Sequence, residues 1–263
     1  MDLNKEIYLT KQEFSFTREE NILLNLFIDY PQVLNILTRH KAFIVGGALT
    51  SVFSNTKIND LDIYFLSEED LIQCEKELLN ISRSKFQTKN ATTFLHLINV
   101  PLQIIKKIIK TTVEDIFDEF DFTVCMASYS FEKREFIFHY DFFKHLAQRE
   151  LTFNTNSKNP VHALLRVEKY KSRGFTFKQK ELFKVIGNIV AMKINTNEEM
   201  ASLLEGMYGE STKEIVKALR TPTLDKENFD LSKFLQILDD SYNHGSIALA
   251  KSSTITPLDD LPF

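Results

Sequence analysis

The sequence has few of the features that define a secreted or membrane protein. Its 263 residues include no tryptophan and only two cysteines, Cys74 and Cys125, which do not form a disulfide framework or a metal-binding spacing. The stretch from Met1 to Glu13 is polar, with no apolar run after a basic start, which argues against a signal peptide. No apolar stretch approaches the roughly 18 residues that a membrane-spanning helix needs. We therefore expect a cytoplasmic protein without membrane contact.

Acidic residues slightly outnumber basic ones. The net charge of −4 excludes a chain that binds nucleic acid through its overall charge. The region from Arg149 to Lys180 differs, because it contains eight Lys or Arg residues and two Glu residues. Such a region attracts phosphate groups or forms the solvated face of a helix, and the sequence leaves both interpretations open.

The predicted elements change in kind along the chain. Strands and helices alternate up to about residue 148, and only helices follow, which is typical of an α+β domain joined to a helical region. The 23 phenylalanines supply most of the large apolar side chains for the core. We predict four regions: an N-terminal helical region (1–40), a head domain (41–148), a helical region (149–244) and a flexible tail (245–263).

Capping signals and apolar runs predict individual elements near the motifs. Thr17 and Glu20 form a capping-box pattern at the start of a helix. Ser67, with Asp70 three residues later, is placed to cap a helix that runs to about Asn80. The apolar run Phe120–Tyr129 predicts a strand.

The first motif is a pair of glycines between a buried strand and a helix. Val45 ends the strand, and Gly46 and Gly47 follow it. Glycines at such a turn let the backbone approach a phosphate, and the next helix offers unpaired N–H groups. Thr50 and Ser51 would add hydroxyl donors. A simple tight turn is the alternative interpretation.

The second motif is the pair of aspartates in the run NDLDIYF. Side chains alternate along a strand, so that Asp60 and Asp62 project from one face while Leu61 and Ile63 enter the core. Two carboxylates so close together repel each other, and a bound magnesium ion relieves that repulsion. Two solvated aspartates at a strand entry are the alternative.

The third motif is Asp121, which interrupts an apolar run. A buried aspartate is costly unless it is paired or bound to a metal. On a strand beside the aspartate pair, Asp121 would complete a three-carboxylate site. An aspartate that faces solvent at the start of a strand is the alternative.

These runs resemble a known superfamily. FIVGGALTSVF followed by NDLDIYF resembles the first motif of the DNA polymerase β-like nucleotidyltransferases. FDFTVCMASYS and NPVHALLRVEKYKSRGF resemble a strand and a helix of bacterial poly(A) polymerases and CCA-adding tRNA nucleotidyltransferases. The resemblance covers roughly Phe43 to Phe175. It implies a nucleotidyltransferase head with a mixed sheet and flanking helices, from a divergent and phage-type member.

The resemblance also implies a two-metal mechanism. Asp60 and Asp62 would hold both magnesium ions, and Asp121 would bind the ion that activates the attacking hydroxyl. Gly46 and Gly47 would bind the triphosphate of an NTP. The implied reaction adds a nucleoside monophosphate to an RNA 3′ end, as in CCA addition or poly(A) synthesis, and releases pyrophosphate.

The sequence departs from the superfamily pattern in two places. Glu119 and Phe120 stand where the family has a pair of arginines before its third aspartate. The family's base-selecting element is replaced by the run Lys158–His162, so that the resemblance does not imply which NTP is used. Arg166 and Lys169, on the matching helix, are the candidates for contacts with nucleotide phosphates or RNA.

Two other functions stay open at this point. The same chemistry transfers nucleotides to small molecules or proteins in other members of the superfamily. A head without catalytic activity would instead serve as an interaction protein. Metal and nucleotide binding separates the enzymes from the interaction protein, and the acceptor separates the two kinds of enzyme.

The C-terminus resembles the acidic tip of bacterial single-stranded-DNA-binding proteins, which ends in Asp-Asp-Asp-Ile-Pro-Phe. In such a tip, a terminal Phe fills an apolar pocket on a DNA-maintenance protein, and the aspartates steer the encounter. The resemblance implies a host partner of that kind. The alternative is an ordinary polar tail. The residues concerned are Asp259, Asp260, Leu261, Pro262 and Phe263.

Overall fold

The computed structural model describes residues 9–10, 16–205, 210–221 and 228–251. The chain divides into two compact units. The head unit comprises Met1–Lys158 and Tyr170–Lys178, and the helical unit comprises Asn159–Lys169 and Gln179–Phe263. The predicted C-terminal tip, 257–263, lies outside the described residues.

A mixed sheet of eight strands forms the centre of the head unit. The strands are β1 (Leu9–Thr10), β2 (Phe43–Val45), β3 (Leu61–Phe65), β4 (Lys85–Gln87), β5 (Ala91–Phe94), β6 (Leu102–Ile109), β7 (Ala127–Ser130) and β8 (Glu135–Phe138). Their order across the sheet is β1-β8-β7-β2-β3-β6-β5-β4. Strands β3 and β6 are parallel, and the other paired strands are antiparallel.

Helices flank this sheet, so that the predicted α+β class is confirmed. Those of the head unit are α1 (Thr17–Asn25), α2 (Pro31–Arg39), α3 (Gly47–Phe53), α4 (Glu68–Ile81), α5 (Val113–Phe117) and α6 (Phe142–Gln148). The predicted cap of α4 is confirmed, because the Ser67 side chain accepts a hydrogen bond from the backbone N–H of Asp70 at 3.3 Å. Pro31 is the first residue of α2, a position where its missing N–H costs no helical hydrogen bond.

Phenylalanines fill much of the head core, as predicted. The ring of Phe138 on β8 lies within 5.7 Å, centroid to centroid, of five others. Such edge and stacked contacts add to the free energy gained by burying the rings. The five partners are Phe16, Phe53, Phe136, Phe142 and Phe143.

The predicted capping box at Thr17 is wrong. Thr17 is the first residue of α1, and the N-cap residue Phe16 makes no side-chain cap bond. Glu20 is instead buried, with 4% of its surface exposed. Its carboxylate accepts hydrogen bonds from the Tyr129 hydroxyl (2.9 Å) and from Arg134 Nε (3.1 Å). A tertiary partner has therefore replaced the local one.

The predicted strand Phe120–Tyr129 is also wrong in its first half. Thr123–Cys125 forms a 3-10 turn, and β7 begins only at Ala127. All ten residues 121–130 are buried, so that the sequence shows no alternation to separate turn from strand. Asp121 consequently lies in a buried turn before β7.

The helical unit contains the remaining helices. They are α7 (Pro160–Lys171), α8 (Gln179–Ala191), α9 (Asn197–Leu204), α10 (Glu210–Leu219) and α11 (Leu231–Lys251). The last two residues of α7 belong to the head unit. Ala201, Ile215 and Leu219 form a small buried core. Helix α11 continues past Gly245, where the sequence predicts the start of a tail. Within the described residues, no helix is both long and apolar enough to span a membrane.

The buried Glu20 network gives a first prediction. Glu20→Ala should lower the free energy of unfolding by about 1–3 kcal/mol, because it removes the acceptor of a buried tyrosine hydroxyl. The neighbouring Glu19→Ala, on a less buried side chain, should change it by less than about 0.5 kcal/mol. Urea denaturation of both variants measures the difference, and equal stability would show that the network contributes nothing.

Candidate active site

The motifs meet at one end of the central strands of the sheet. Strand β2 ends at Val45, and its antiparallel neighbours β3 and β7 begin there. Ile44 pairs with Ile63, a register that brings Asp62 beside Val45. The Gly46 N–H donates to the carbonyl of Ala127 at 3.1 Å. The glycine turn and Asp62 are therefore neighbours in the sheet.

Gly46 is required by backbone conformation and by packing. Its φ of +98° lies in the region that favours glycine. A Cβ atom there would lie 2.7 Å from Cε1 of Phe120, so that a ring occupies the space predicted for a phosphate. A Cβ atom on Gly47 would meet only the Tyr170 hydroxyl, at 3.9 Å. Of the two glycines, Gly47 is thus the one with space for a ligand.

Asp60 and Asp62 keep the arrangement predicted from strand alternation. Leu61 and Ile63 are fully buried, whereas both aspartates retain partial exposure. Within the described part of the chain, Asp60 makes no hydrogen bond or ion pair. The two carboxylates thus leave the start of β3 on one side, next to the glycine turn.

Thr50 and Ser51 are held within the fold. Both are buried, with 2% and 3% exposure. The Thr50 hydroxyl donates to the carbonyl of Val124, which links α3 to the 3-10 turn. The Thr50 hydroxyl, predicted as a donor to a ligand, is therefore already used in this hydrogen bond. The bond positions the turn next to Asp121.

Asp121 is enclosed by the loop that follows Phe153. It is 4% exposed, and its carboxylate accepts a hydrogen bond from Ser157 Oγ at 3.1 Å. Its backbone carbonyl accepts from the Asn154 N–H at 2.8 Å. Among the described residues, no three His, Cys, Asp or Glu side chains form a group that could hold a metal. Asp121 itself lies in a buried bend just before the 3-10 turn, and the three-carboxylate site stays a prediction.

The chemistry of the aspartate pair nevertheless suits magnesium. Magnesium in nucleotide sites is commonly bound by one or two carboxylates together with substrate phosphates, without a complete protein cage. Asp60 and Asp62 match that donor set. The residues therefore fit an ion that arrives with a nucleotide.

Two lysines near Asp121 were not identified from the sequence. Lys110 Nζ and Lys158 Nζ lie 2.7 and 2.8 Å from Glu119 Oε1. Burial alone would raise the pKa of Glu119, but the hydrogen bonds from both lysines outweigh it and lower that pKa. The one sequence signal for these lysines was Glu119, which stands where the superfamily has an arginine. A carboxylate at that position needs cationic partners.

His145 supports the same turn from behind. Its Nδ1 lies 2.7 Å from the Thr123 hydroxyl, and the side chain is buried. Burial lowers the pKa of His145, and the nearby carboxylate of Asp141 only partly opposes that shift. The neutral imidazole is therefore the form that the folded protein favours.

Arg166 and Lys169 are exposed residues of α7 in the helical unit. Other residues of the basic region contact neighbours within the head unit. Arg149 lies over the ring of Phe175, and Arg173 lies over the ring of Tyr170. Both rings are buried and therefore belong to the core of the head unit.

The fold defines the class of protein as nucleotidyltransferase-like. The match to the Thermotoga maritima CCA-adding enzyme complexed with tRNA covers 96% of this chain and 58% of that enzyme's chain, with a TM-score of 0.53 and 14% identity. A CCA-adding enzyme in apo form I matches the same shares, with a TM-score of 0.54 and 12% identity. At this identity the likeness shows the fold alone, and it confirms the predicted fold class.

The chain belongs to the Gabija anti-defense 2 family, whose sequence model matches residues 14–149, just over half of the chain. Gabija anti-defense 2 of Bacillus phage SPbetaL7 is 38% identical over 179 residues. That match covers 68% of this chain and 44% of the phage protein. The chain therefore spans less than half the length of this relative, and less than two thirds of the two CCA-adding enzymes.

Gly46→Ala tests the glycine turn. The substitution should lower the free energy of unfolding by about 1 kcal/mol or more, because it combines a positive φ with a clash against Phe120. Gly47→Ala, the matched control, adds only an ordinary contact and should have a much smaller effect on stability. Chemical denaturation compares the two, and an equal effect would contradict the packing account of Gly46.

His145 should make stability depend on pH. Its pKa in the folded state is below the usual 6.5, so that its contribution is present above about pH 6.5 and is lost as the pH falls. Unfolding measured between pH 7.5 and 5.5 should show this loss, and His145→Gln should reduce it. The exposed His96→Gln is the control, and an unchanged pH profile in His145→Gln would refute the assignment.

Proposed function

We propose that this chain is a magnesium-dependent nucleotidyltransferase that adds a nucleoside monophosphate from an NTP to an RNA 3′ end, and that it thereby counteracts a Gabija defence. The observation on which this rests is the paired carboxylates of Asp60 and Asp62 beside the β2–α3 turn. The nucleotidyltransferase-like fold and the family membership support it.

The proposed reaction is a single displacement at phosphorus. The acceptor 3′ hydroxyl oxygen bonds to the α-phosphorus, the bond from that phosphorus to the β-phosphate oxygen breaks, pyrophosphate leaves, and the hydroxyl proton passes to solvent. Asp60 and Asp62 hold the magnesium, which stabilises the negative charge on the phosphate oxygens when it is bound. Gly47 leaves space for the triphosphate, and Arg166 and Lys169 are proposed to contact phosphates.

Asp121 has a separate place in the proposal as the third carboxylate, next to the attacking hydroxyl. Its hydrogen bond with Ser157 engages one carboxylate oxygen. That contact holds the side chain in one orientation, whether it then binds a metal or positions the acceptor. Its contribution is therefore tested apart from that of the aspartate pair.

The comparisons with known proteins support the proposed acceptor and the proposed effect on Gabija. One fold neighbour is a CCA-adding enzyme complexed with tRNA, which favours an RNA acceptor. The curated relative is named for action against Gabija, which suggests that the transfer disables some component of that defence. The partners proposed for this chain are thus an NTP and RNA.

A second function is favoured by one observation. Since the described residues contain no three-carboxylate group, the head is also compatible with a non-catalytic protein that blocks a Gabija component by binding it. In that case the aspartate pair would be dispensable for the effect on defence.

The experiment measures transfer from each of the four labelled NTPs, with magnesium, onto total RNA. Asp60→Asn and Asp62→Asn should each reduce transfer by at least about a hundredfold, because the metal contributes several kcal/mol to the transition state. Asp121→Asn should reduce transfer while nucleotide binding persists. Asp29→Asn, on an exposed aspartate between α1 and α2, should be unchanged.

The same variants in cells that carry a Gabija defence connect the activity with the effect. Loss of both transfer and anti-defence action in Asp62→Asn supports the enzyme. Anti-defence action that survives in Asp60→Asn and Asp62→Asn would reject it in favour of the blocking protein. Labelling of proteins or small molecules, with none on RNA, would correct the acceptor.

A further inference from the structure

We infer that the uncovered face of strands β4, β5 and β6 is a binding surface for the single-stranded segment of a nucleic-acid acceptor, with Phe86 stacking on a base. This inference rests on the proposed function, because it places the acceptor strand beside Asp62. The ligand class is a single-stranded polyanion with exposed bases.

A row of side chains crosses four strands at one register. Asp62 on β3 pairs with Gln103 on β6, Gln103 pairs with Thr93 on β5, and Thr93 pairs with Phe86 on β4. Residues directly opposite each other in a sheet project from the same face. The row therefore leads from the proposed metal ligand to the sheet edge, over three strand spacings or about 14 Å.

The opposite face is closed on β3, β6 and β5, whereas the edge strand β4 is exposed on both sides. Ile63, Ile104 and Thr92 form the next row, and each is fully buried. Thr92 and Lys106 contact Glu75 of α4 on that side. The two faces thus differ in kind, and the row that begins at Asp62 belongs to the accessible one.

The accessible row has the side chains that a single strand needs. Phe86 is 63% exposed, so that one aromatic face is open to a ligand. Gln103 Nε2 donates to Thr93 Oγ1 at 2.9 Å, which leaves the Gln103 carbonyl oxygen and the second amide hydrogen for a base. Aromatic platforms beside polar groups are a general way to bind unpaired bases on a sheet.

The charge around this surface favours a polyanion. From Leu78 to Val113 the chain has six Lys or Arg residues and no Asp or Glu, although the whole chain has a net charge of −4. Lys106 and Lys110 are paired with Glu75 and Glu119. The other four are exposed: Arg83, Lys85, Lys89 and Lys107.

Two of these cations lie on the same side of the sheet, about four residues along β5 and β6 from the row. Lys106 faces α4, so that Lys107, the next residue of the strand, projects from the accessible face. The Asn90 carbonyl accepts hydrogen bonds from the backbone N–H groups of Lys106 and Lys107. That contact brings the β4–β5 turn, with Lys89, close to Lys107. Phosphates of a strand that continues from the row along β6 therefore meet positive charge.

The test uses a labelled single-stranded 12-mer of oligo(A) RNA, without NTP, and measures binding by fluorescence anisotropy. Phe86→Ala should weaken binding by about fivefold or more, as expected for the loss of one base stack. Phe86→Trp should retain binding, because it keeps an aromatic face. Phe183→Ala is the matched control, since Phe183 is 60% exposed but lies on α8 of the helical unit.

The salt dependence tests the electrostatic part of the inference. Lys107→Gln should reduce the slope of log affinity against log salt concentration by about 0.7, the value for one phosphate contact on a single strand. Lys133→Gln, on an exposed lysine of the β7–β8 turn, should leave the slope unchanged. Equal slopes in both variants would remove the phosphate contact.

The outcomes separate this inference from the proposed function. Equal RNA binding by wild type and Phe86→Ala, or equal binding of duplex and single-stranded RNA, overturns the binding surface and leaves nucleotide transfer intact. No RNA binding by the wild type, with magnesium–nucleotide binding present, overturns the surface and the RNA acceptor together. Phe86-dependent RNA binding without any nucleotide binding supports the surface and rejects the enzyme.

Discussion

The repulsion between two carboxylates on one side of a short strand is the constraint on which the site depends. Asp60 and Asp62 are fixed there because Leu61 and Ile63 between and beside them are fully buried. The core therefore sets the positions of the charges, and the aspartates cannot turn away without exposing leucine and isoleucine. We propose that a cation supplied with a nucleotide relieves that repulsion.

The surrounding segments hold this end of the central strands in place through packing and hydrogen bonds. Phe120 packs against Gly46, and Thr50 donates to the carbonyl of Val124. His145 then supports Thr123 from behind. These contacts connect the glycine turn with the segment of Asp121, so that the position of one depends on the other. A change in Phe120 or His145 should therefore reach the site without a contact to any ligand.

The sequence predicted the elements whose signals are local. The cap at Ser67 and the alternation through Asp60–Ile63 each depend on residues only a few positions apart. The turn at Asp121 was not predictable in this way, because every residue from 121 to 130 is buried and the pattern has no period. Glu20 was misread for a related reason, since its partners Tyr129 and Arg134 lie more than a hundred residues away.

The sequence predicted the Asp60–Asp62 pair of the candidate site but not the contacts that depend on the tertiary structure. Strand alternation was enough to place Asp60 and Asp62 together. The enclosure of Asp121 by Ser157 depends on a loop that closes over it from a distant part of the chain. The row from Asp62 to Phe86 depends on strand order, which brings β4, β5 and β6 next to β3. Neither arrangement leaves a periodic pattern in the sequence.

The central claim is that Asp60 and Asp62 bind a divalent ion only together with a nucleotide. Electron paramagnetic resonance of manganese, used in place of magnesium, measures this directly in titrations with and without a non-hydrolysable NTP. We expect weak manganese binding in the absence of the nucleotide and much tighter binding in its presence. The tight binding should be lost in Asp62→Asn. Manganese binding that is indifferent to the nucleotide, or that persists in Asp62→Asn, would contradict it.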